Sequence, residues 1–360
     1  MLQELRSLFQ VIDISNKKIN LGIIMRYLFL FLALLSSAPA AYAFDKQKML
    51  ESFFSTVMVR GYKADGSLAY GSGVVVGDNK VLTNCHILRQ TKQPWISQGE
   101  DTYTITSVQA DRWHDVCLVG ADTLPFKAVA LGKAGSLKKG QEVVAIGHSS
   151  GVPTPLTSVG VVKSLFSMNE GNIIRSTARF ALGASGSGLY DSEGRLVGIN
   201  TLKTVGRAAY YYAMPVEWLA ELKKQKVETE FPITGDAFWE AEEEERPFFM
   251  QVAVPEINED WAKLAEVAGR WIKAEPNSSE AWFEAGVANE NMGKQAEAEQ
   301  AYRKSVSLDA SNTDSLFRIG VIASAKGDKK EVHAVNLTLL NIDKDAAAQF
   351  EDATGCKVEC

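Results

Sequence analysis

Between Ser55 and about Ala213 the chain is cut into roughly a dozen short β-type runs separated by glycine-rich turns, and this chopping constrains the fold more than any other feature. Residues 56–62 alternate apolar and polar side chains, Asp65-Gly66 within Lys63-Ala-Asp-Gly66 is a hairpin signal, and residues 68–76 read as the return strand. A turn at 77–79 leads into 80–84. Further runs follow at 103–108, 116–120, 128–131, 142–146, 158–166, 173–176, 188–190, 196–202 and 208–213. So many short strands with tight turns predict an all-β antiparallel architecture, and their number suits two small barrels packed together.

Residues 215–224 read as a helix with Pro215 in its first turn. The stretch 231–255 is irregular and acidic, carries Pro232, Pro247 and Pro255, and includes Glu240–Glu245, interrupted by Ala241; it is expected to be a solvated linker. From Asn258 the period becomes helical. Trp282, Ala285, Gly286, Ala298 and Tyr302 are spaced as in a tetratricopeptide repeat, and the stretch from Ser279 resembles one such repeat of about 34 residues. A second, weaker copy places Leu316, Ile319 and Gly320 under Trp282, Ala285 and Gly286. The expected fold class is therefore multi-domain: a double six-stranded β-barrel followed by an all-α region like tetratricopeptide repeats. The expected divisions are 1–24 upstream of a second start at Met25, 25–43 signal peptide, 44–230 barrel domain, 231–255 linker, 256–352 helical domain and 353–360 tail.

The signal peptide is read from Arg26, an apolar run 27–35, and Ala41-Tyr42-Ala43 as a cleavage site. The run is too short for a good membrane span, so no stable span is expected once the segment is removed. The rival reading is an uncleaved anchor. Export implies a periplasmic or secreted, oxidising location, where cysteines pair. The net charge of −6 gives no reason to expect a nucleic-acid partner. Cys85 directly precedes His86 and Cys117 lies two residues after Asp115. If that histidine and aspartate touch, a Cys85–Cys117 bond is one outcome and two buried thiols the other. Cys356 and Cys360 in the tail are open to pairing with each other, to cross-linking a partner, or to neither.

Chemistry converges on Leu182-Gly-Ala-Ser-Gly-Ser-Gly-Leu189, where Ser185 sits among small residues. Such a turn can aim the amides of Gly183 and Ser185 at one point, where an oxyanion would form. His86 ends an apolar strand, and Asp115 opens the buried-looking run Asp115-Val-Cys-Leu-Val119, so its charge needs a partner. A weak serine nucleophile needs an imidazole to take its proton and a carboxylate to fix the tautomer. Asp111 and His114 are weaker rivals for these roles. Gly147-His-Ser-Ser-Gly151 mimics a nucleophile elbow centred on Ser149, but that motif needs a helix after it, and Val152-Pro-Thr-Pro-Leu156 cannot begin one.

Thr83-Asn-Cys-His86, Asp115-Val-Cys-Leu-Val119, Ala145-Ile-Gly-His-Ser-Ser-Gly151, Gly183-Ala-Ser-Gly-Ser-Gly188, Gly198-Ile-Asn-Thr201 and Ala213-Met-Pro215 occur in the order of trypsin-like serine proteases. Residues 45–225 resemble the bacterial high-temperature-requirement (Deg) branch most. The resemblance implies an active site between two barrels, with His86 as base, Asp115 as its orienter, Ser185 as nucleophile and the Gly183 and Ser185 amides as oxyanion hole. It also implies a substrate pocket lined by Arg179, Phe180, Ile199, Asn200 and Thr201. Arg179 pointing inward would favour acidic substrate side chains, and pointing outward would be a solvated surface residue. Ala184, Ser187 and Gly188 depart from the residues usual at those positions, and helical repeats replace the PDZ domains usual after the protease.

The expected function is an exported serine endopeptidase that needs no cofactor and no metal, acts on protein or peptide substrates, and uses its repeats to bind a protein partner or substrate. The alternative is a catalytically silent protease-fold scaffold whose repeats carry the function.

Overall fold

The computed structural model describes residues 44–204 and 210–356; the signal-peptide reading and Cys360 lie outside them. Helix α1 (Lys46–Phe54) leads into the first barrel: β1 (Thr56–Tyr62), β2 (Leu68–Gly77), β3 (Lys80–Thr83), the single-turn helix α2 (Cys85–Leu88), β4 (Trp95–Gln98), β5 (Asp101–Asp111) and β6 (Val116–Ala121). The second barrel is β7 (Glu142–Gly147), β8 (Leu156–Met168), β9 (Gly171–Ser176), β10 (Ser187–Tyr190), β11 (Leu196–Lys203) and β12 (Tyr211–Pro215). The two closed sheets run β1-β2-β3-β6-β5-β4 and β7-β8-β9-β12-β11-β10, with every pairing antiparallel. Closure leaves no free sheet edge for other chains to pair with. Alternate residues turn inward to fill each barrel. Val57, Val59, Val75, Val81, Ile96 and Val119 pack in the first. Val143, Ala145, Val162, Ile174, Leu189 and Val197 pack in the second.

Three local expectations change. The apolar run at 128–131 is not a strand; Leu131 makes an isolated bridge to Leu196, and Val129 N donates to Val75 O at 3.0 Å. Strand β4 lacks a clear period in the sequence, and its pairing with β1 and β5 fixes it. The helix expected over 215–224 is a 3₁₀ turn, Val216–Trp218, followed by the short helix α3 (Leu219–Leu222).

The acidic connector is not a free linker. Ile233, Ala237 and Phe238 are buried, and Phe238 packs against Trp113 and Phe249. Two short helices follow, α4 (Phe248–Gln251) and α5 (Ala253–Ile257), and then α6 (Trp261–Ala274). Phe166 and Tyr212 of the second barrel stack on Phe249 of α4, at 4.6 and 5.3 Å between ring centroids. The barrel and the first helices thus share one apolar core.

Two helix pairs come next: α7 (Ser279–Asn291) with α8 (Gln295–Leu308), and α9 (Thr313–Ala325) with α10 (Lys329–Ile342), closed by α11 (Lys344–Thr354). The pairs repeat each other. Ser278 caps α7 and Asn312 caps α9, each side chain accepting a backbone amide three residues on. A side chain at Gly286 would meet the Tyr302 ring, and one at Gly320 the Phe350 ring, both at 2.4 Å. Only glycine lets the helices pack this closely.

Candidate active site

Strand register brings the first two candidate residues together. β3 pairs with β6 so that Thr83 lies opposite Cys117, and continuing past the strand ends sets residues 85–86 beside residue 115. Cys85 donates its amide to the Asp115 carbonyl at 3.3 Å. Cys85 and Cys117 are joined by a disulfide, with their Cα atoms 5.0 Å apart. Asp115 is fully buried and sits at φ +57°, a left-handed conformation that aspartate tolerates. Its Oδ2 lies 2.6 Å from His86 Nδ1, and its Oδ1 accepts the His86 amide at 2.7 Å. Burial pushes the Asp115 carboxyl above the usual carboxylate range, and the charge and hydrogen bonds of His86 oppose that push. The contact fixes the tautomer, leaving Nε2 of His86 for chemistry.

The Ser185 turn is held by its carbonyls. Leu182 O accepts from Ser150 N at 2.6 Å, Gly183 O from Ser72 Oγ at 2.8 Å, Ala184 O from Ser187 N at 2.9 Å and Ser185 O from Ser72 N at 2.7 Å. A trans peptide points its N–H opposite to its C=O. The Gly183 and Ser185 amides therefore face away from the braced carbonyls, and neither makes a hydrogen bond among the described residues. The Ala184 and Gly186 amides are taken, by Ala181 O and Asn200 O. The turn thus leaves free the two amides expected to form the oxyanion hole. Gly183 has φ +94°, and a side chain there would stand 2.6 Å from the His148 carbonyl.

The Ser185 turn reaches the His86 segment: a side chain at Gly186 would stand 2.5 Å from Thr83 Oγ1 and 3.1 Å from Asn84 N. Ser185 Oγ itself makes no hydrogen bond among the described residues. Catalytic contacts of this kind often close only when substrate is bound.

The rivals have other employment. His114 Nδ1 lies 2.6 Å from Asp111 Oδ2, its ring packs tilted against Trp218 with centroids 3.9 Å apart, and Asn169 Nδ2 sits 2.8 Å from its Nε2. Ser149 lies in a 3₁₀ turn, Ser149–Gly151, with no α-helix after it, and its Oγ accepts the Ala181 amide. The elbow-like motif is therefore the brace behind the Ser185 turn.

The five pocket candidates divide. Arg179 is exposed and has no ion-pair partner among the described residues; its amide donates to Ser158 Oγ. Phe180 is 9% exposed and meets the Tyr211 ring at 5.0 Å. Ile199 is buried, and Asn200 Nδ2 is tied to Ser187 Oγ and Gly188 O at 3.0 Å each. Thr201 Oγ1 accepts from Asn84 Nδ2, which also donates to the Asp115 carbonyl. Asn200 and Thr201 thus hold the scaffold under the nucleophile and under the aspartate.

Three contributors escape a reading of the sequence. Ser72, fully buried, clamps the first barrel to the Ser185 turn. The glycines on either side of it, within a strand, were the available signal for a close backbone approach. Asn84 links the two barrels beneath Asp115. Trp239, on the connector, stands edge-on to the His86 ring with centroids 6.3 Å apart. Arg89 pins that connector through Gly235 O at 2.9 Å and Glu240 at 2.6 Å.

Residues 71–199 match the trypsin-like peptidase domain family, and residues 279–312 match the tetratricopeptide repeat family. A probable periplasmic serine endoprotease DegP-like protein of Hahella chejuensis is 27% identical over 241 residues, which covers 63% of this chain and 48% of the relative. The mitochondrial serine protease HTRA2 of Bos taurus is 26% identical over 181 residues, 47% of this chain and 39% of the relative. This chain therefore spans less than half the length of either relative. A solved structure of the Rv3671c protease from M. tuberculosis in its active form, at 18% identity, covers 56% of this chain and 91% of that one with a TM-score of 0.48. The chain carries a trypsin-like peptidase domain similar to those of the HtrA and DegP serine proteases, joined to a helical region with a tetratricopeptide repeat.

Proposed function

We propose that the protein is an exported serine endopeptidase in which His86 takes the proton of Ser185, Asp115 orients and stabilises the imidazolium, and Ser185 attacks a peptide carbonyl. The oxyanion develops between the Gly183 and Ser185 amides, and the acyl-enzyme is then hydrolysed by water activated through the same imidazole. The observation that carries this reading is the braced Ser185 turn: four consecutive carbonyls are held, and the two amides the chemistry needs are left free. A protease-fold scaffold without activity would have no use for that selectivity, nor for a buried carboxylate locked onto His86.

Phe180 and Tyr211 form the apolar part of the pocket for the residue before the cut, with Arg179 at its exposed rim. From Arg179 and Val159 a groove of about 790 Å³ continues to Phe283 and Phe317 on the repeats. Those two rings stand one repeat apart on the inner helices α7 and α9, and a bound polypeptide running along the groove would meet both. The DegP-like relatives are described as periplasmic, which supports the same address here. Among the described residues no helix is long and apolar enough to cross a membrane.

The test is labelling by a fluorophosphonate probe alongside peptide turnover. Labelling is expected at Ser185. Ser185→Ala abolishes it, and Ser185→Ala or His86→Ala lowers turnover by about 10⁴-fold or more. Absence of labelling, or labelling that survives Ser185→Ala, would establish the scaffold instead.

A further inference from the structure

The helical repeats grip the second barrel twice, with the same two residue positions each time. Lys139 Nζ of the barrel lies 2.6 Å from Glu280 Oε1 and 2.6 Å from Asp309 Oδ2. Lys163 Nζ lies 3.6 Å from Asp314 Oδ1 and 3.2 Å from Asp343 Oδ2, and donates to Thr313 Oγ1 at 2.8 Å. Asp314 stands one repeat after Glu280, in the first turn of the equivalent helix, and Asp343 one repeat after Asp309, just past the end of the equivalent helix. Each repeat therefore presents one acidic pair and each pair holds one lysine. The two lysine side chains are only 10% and 9% exposed, so these carboxylates replace most of the water an ammonium would have. The backbone closes in as well: a side chain at Gly140, next to Lys139, would stand 2.1 Å from the carbonyl of Ile342 at the end of α10.

The gripped segments are those that carry the oxyanion brace. Lys139 lies in the turn before β7, and β7 runs straight into His148–Gly151, whose Ser150 amide holds the Leu182 carbonyl. Lys163 lies on β8, which pairs with β7 from Glu142↔Val161 to Gly147↔Leu156 and supplies Ser158, the acceptor for the Arg179 amide. We propose that the first partner of the repeats is the peptidase domain of the same chain: two equivalent lysine-gripping sites clamp the β7–β8 hairpin and thereby hold the Ser185 turn in its open-amide form. A single surface ion pair would carry little weight. Two at the repeat period, each with a lysine nearly out of water, are an interface. The clamp is independent of what the nucleophile does; its effect on activity rests on the reading of Ser185 given above.

The test uses the full chain with Lys139→Glu and Lys163→Glu together. Hydrogen exchange across β7–β8 and across α7–α10, and the rate of Ser185 labelling by a fluorophosphonate, are measured beside the unaltered protein. Stacking of Phe166 on Phe249 is untouched by these substitutions and still joins the barrel to α4. Exchange is expected to rise at the hairpin and at the helix ends that face it, and labelling to slow about tenfold. Adding Glu280→Lys to Lys139→Glu alone is expected to restore protection around the first site. If the double charge reversal does not fold, Lys139→Gln with Lys163→Gln carries the same two readouts. Unchanged exchange would overturn the clamp. Raised exchange with unchanged labelling would overturn its action on the Ser185 turn. An unaltered protein that never labels would fail the catalytic reading, and exchange would still decide the clamp.

Discussion

The amide of Ser150 donates to the carbonyl of Leu182 at 2.6 Å, and this bond decides which way the Gly183 amide faces. Rotation of that one peptide would turn a carbonyl toward the point where the proposed mechanism develops its oxyanion. Ser72 supports the same turn from the other barrel: its Oγ donates to Gly183 O and accepts the His148 amide at 3.0 Å. Ser72→Ala leaves both groups buried without a partner, a loss of about 1–3 kcal/mol. It is expected to lower kcat by about 10- to 100-fold with KM nearly unchanged, because oxyanion contacts act in the transition state. Steady-state kinetics on a peptide substrate check this; a change confined to KM would show that Ser72 does not hold the hole.

Trp239 brings the connector to His86, with the two ring centroids 6.3 Å apart. On the proposed function it would wall the subsite for the substrate side chain next to the imidazole. Trp239→Ala is expected to raise KM about 10-fold for peptides with a large apolar residue there, and to leave peptides with glycine there almost unaffected. A profile over peptides varied on both sides of the cut reads the effect. Equal losses for both classes would mean a structural role only.

Glu284 is 6% exposed, its Oε2 has no hydrogen-bond partner among the described residues, and its carboxyl is pushed up to about 8, first by burial and then by the charge of Glu256. The folded value lies above the reference of 4.5, so the fold favours the neutral acid. That contribution is complete below pH 4.5 and is lost as pH rises through about 8. Glu284→Gln stays neutral throughout. Its unfolding free energy, read by denaturant unfolding, is expected to gain on that of the unaltered protein as pH is raised across this window, by up to about 1.4 kcal/mol per pH unit. A gap that does not change with pH would mean the carboxyl is already ionised.

The Cys85–Cys117 bond closes a loop across a separation of 32 residues, beside His86 and Asp115. On the chain-entropy model it contributes about 3–4 kcal/mol. Cys85→Ala with Cys117→Ala is expected to lower Tm by roughly that equivalent and to slow Ser185 labelling, since the segment carrying His86 loses its covalent tie. Thermal unfolding and labelling rates measure both. An unaltered Tm would show that the β3–β6 pairing fixes the segment without it.

The sequence by itself determined the fold class. Short runs with turn residues at fixed places can only be satisfied as strands, and a shift to helical period with small residues one repeat apart can only be satisfied by paired helices. It also singled out His86, Asp115 and the Ser185 turn, because a histidine at a strand end and an acid entering a buried run each need a partner. Tertiary structure decided how distant groups hold the turn: Ser72 and Ser150 donate to its carbonyls and the Asn200 carbonyl accepts the Gly186 amide, and all three are remote from it in the chain and carry no local period. It decided that the acidic connector lies against the barrel, because Phe238 is buried and Arg89 takes Glu240. It also turned Lys139 and Lys163, two ordinary basic residues in the sequence, into the points where the repeats hold the barrel. Periodicity records which face of an element is apolar; which distant group that face meets depends on strand register and helix docking, and no window along the chain contains either.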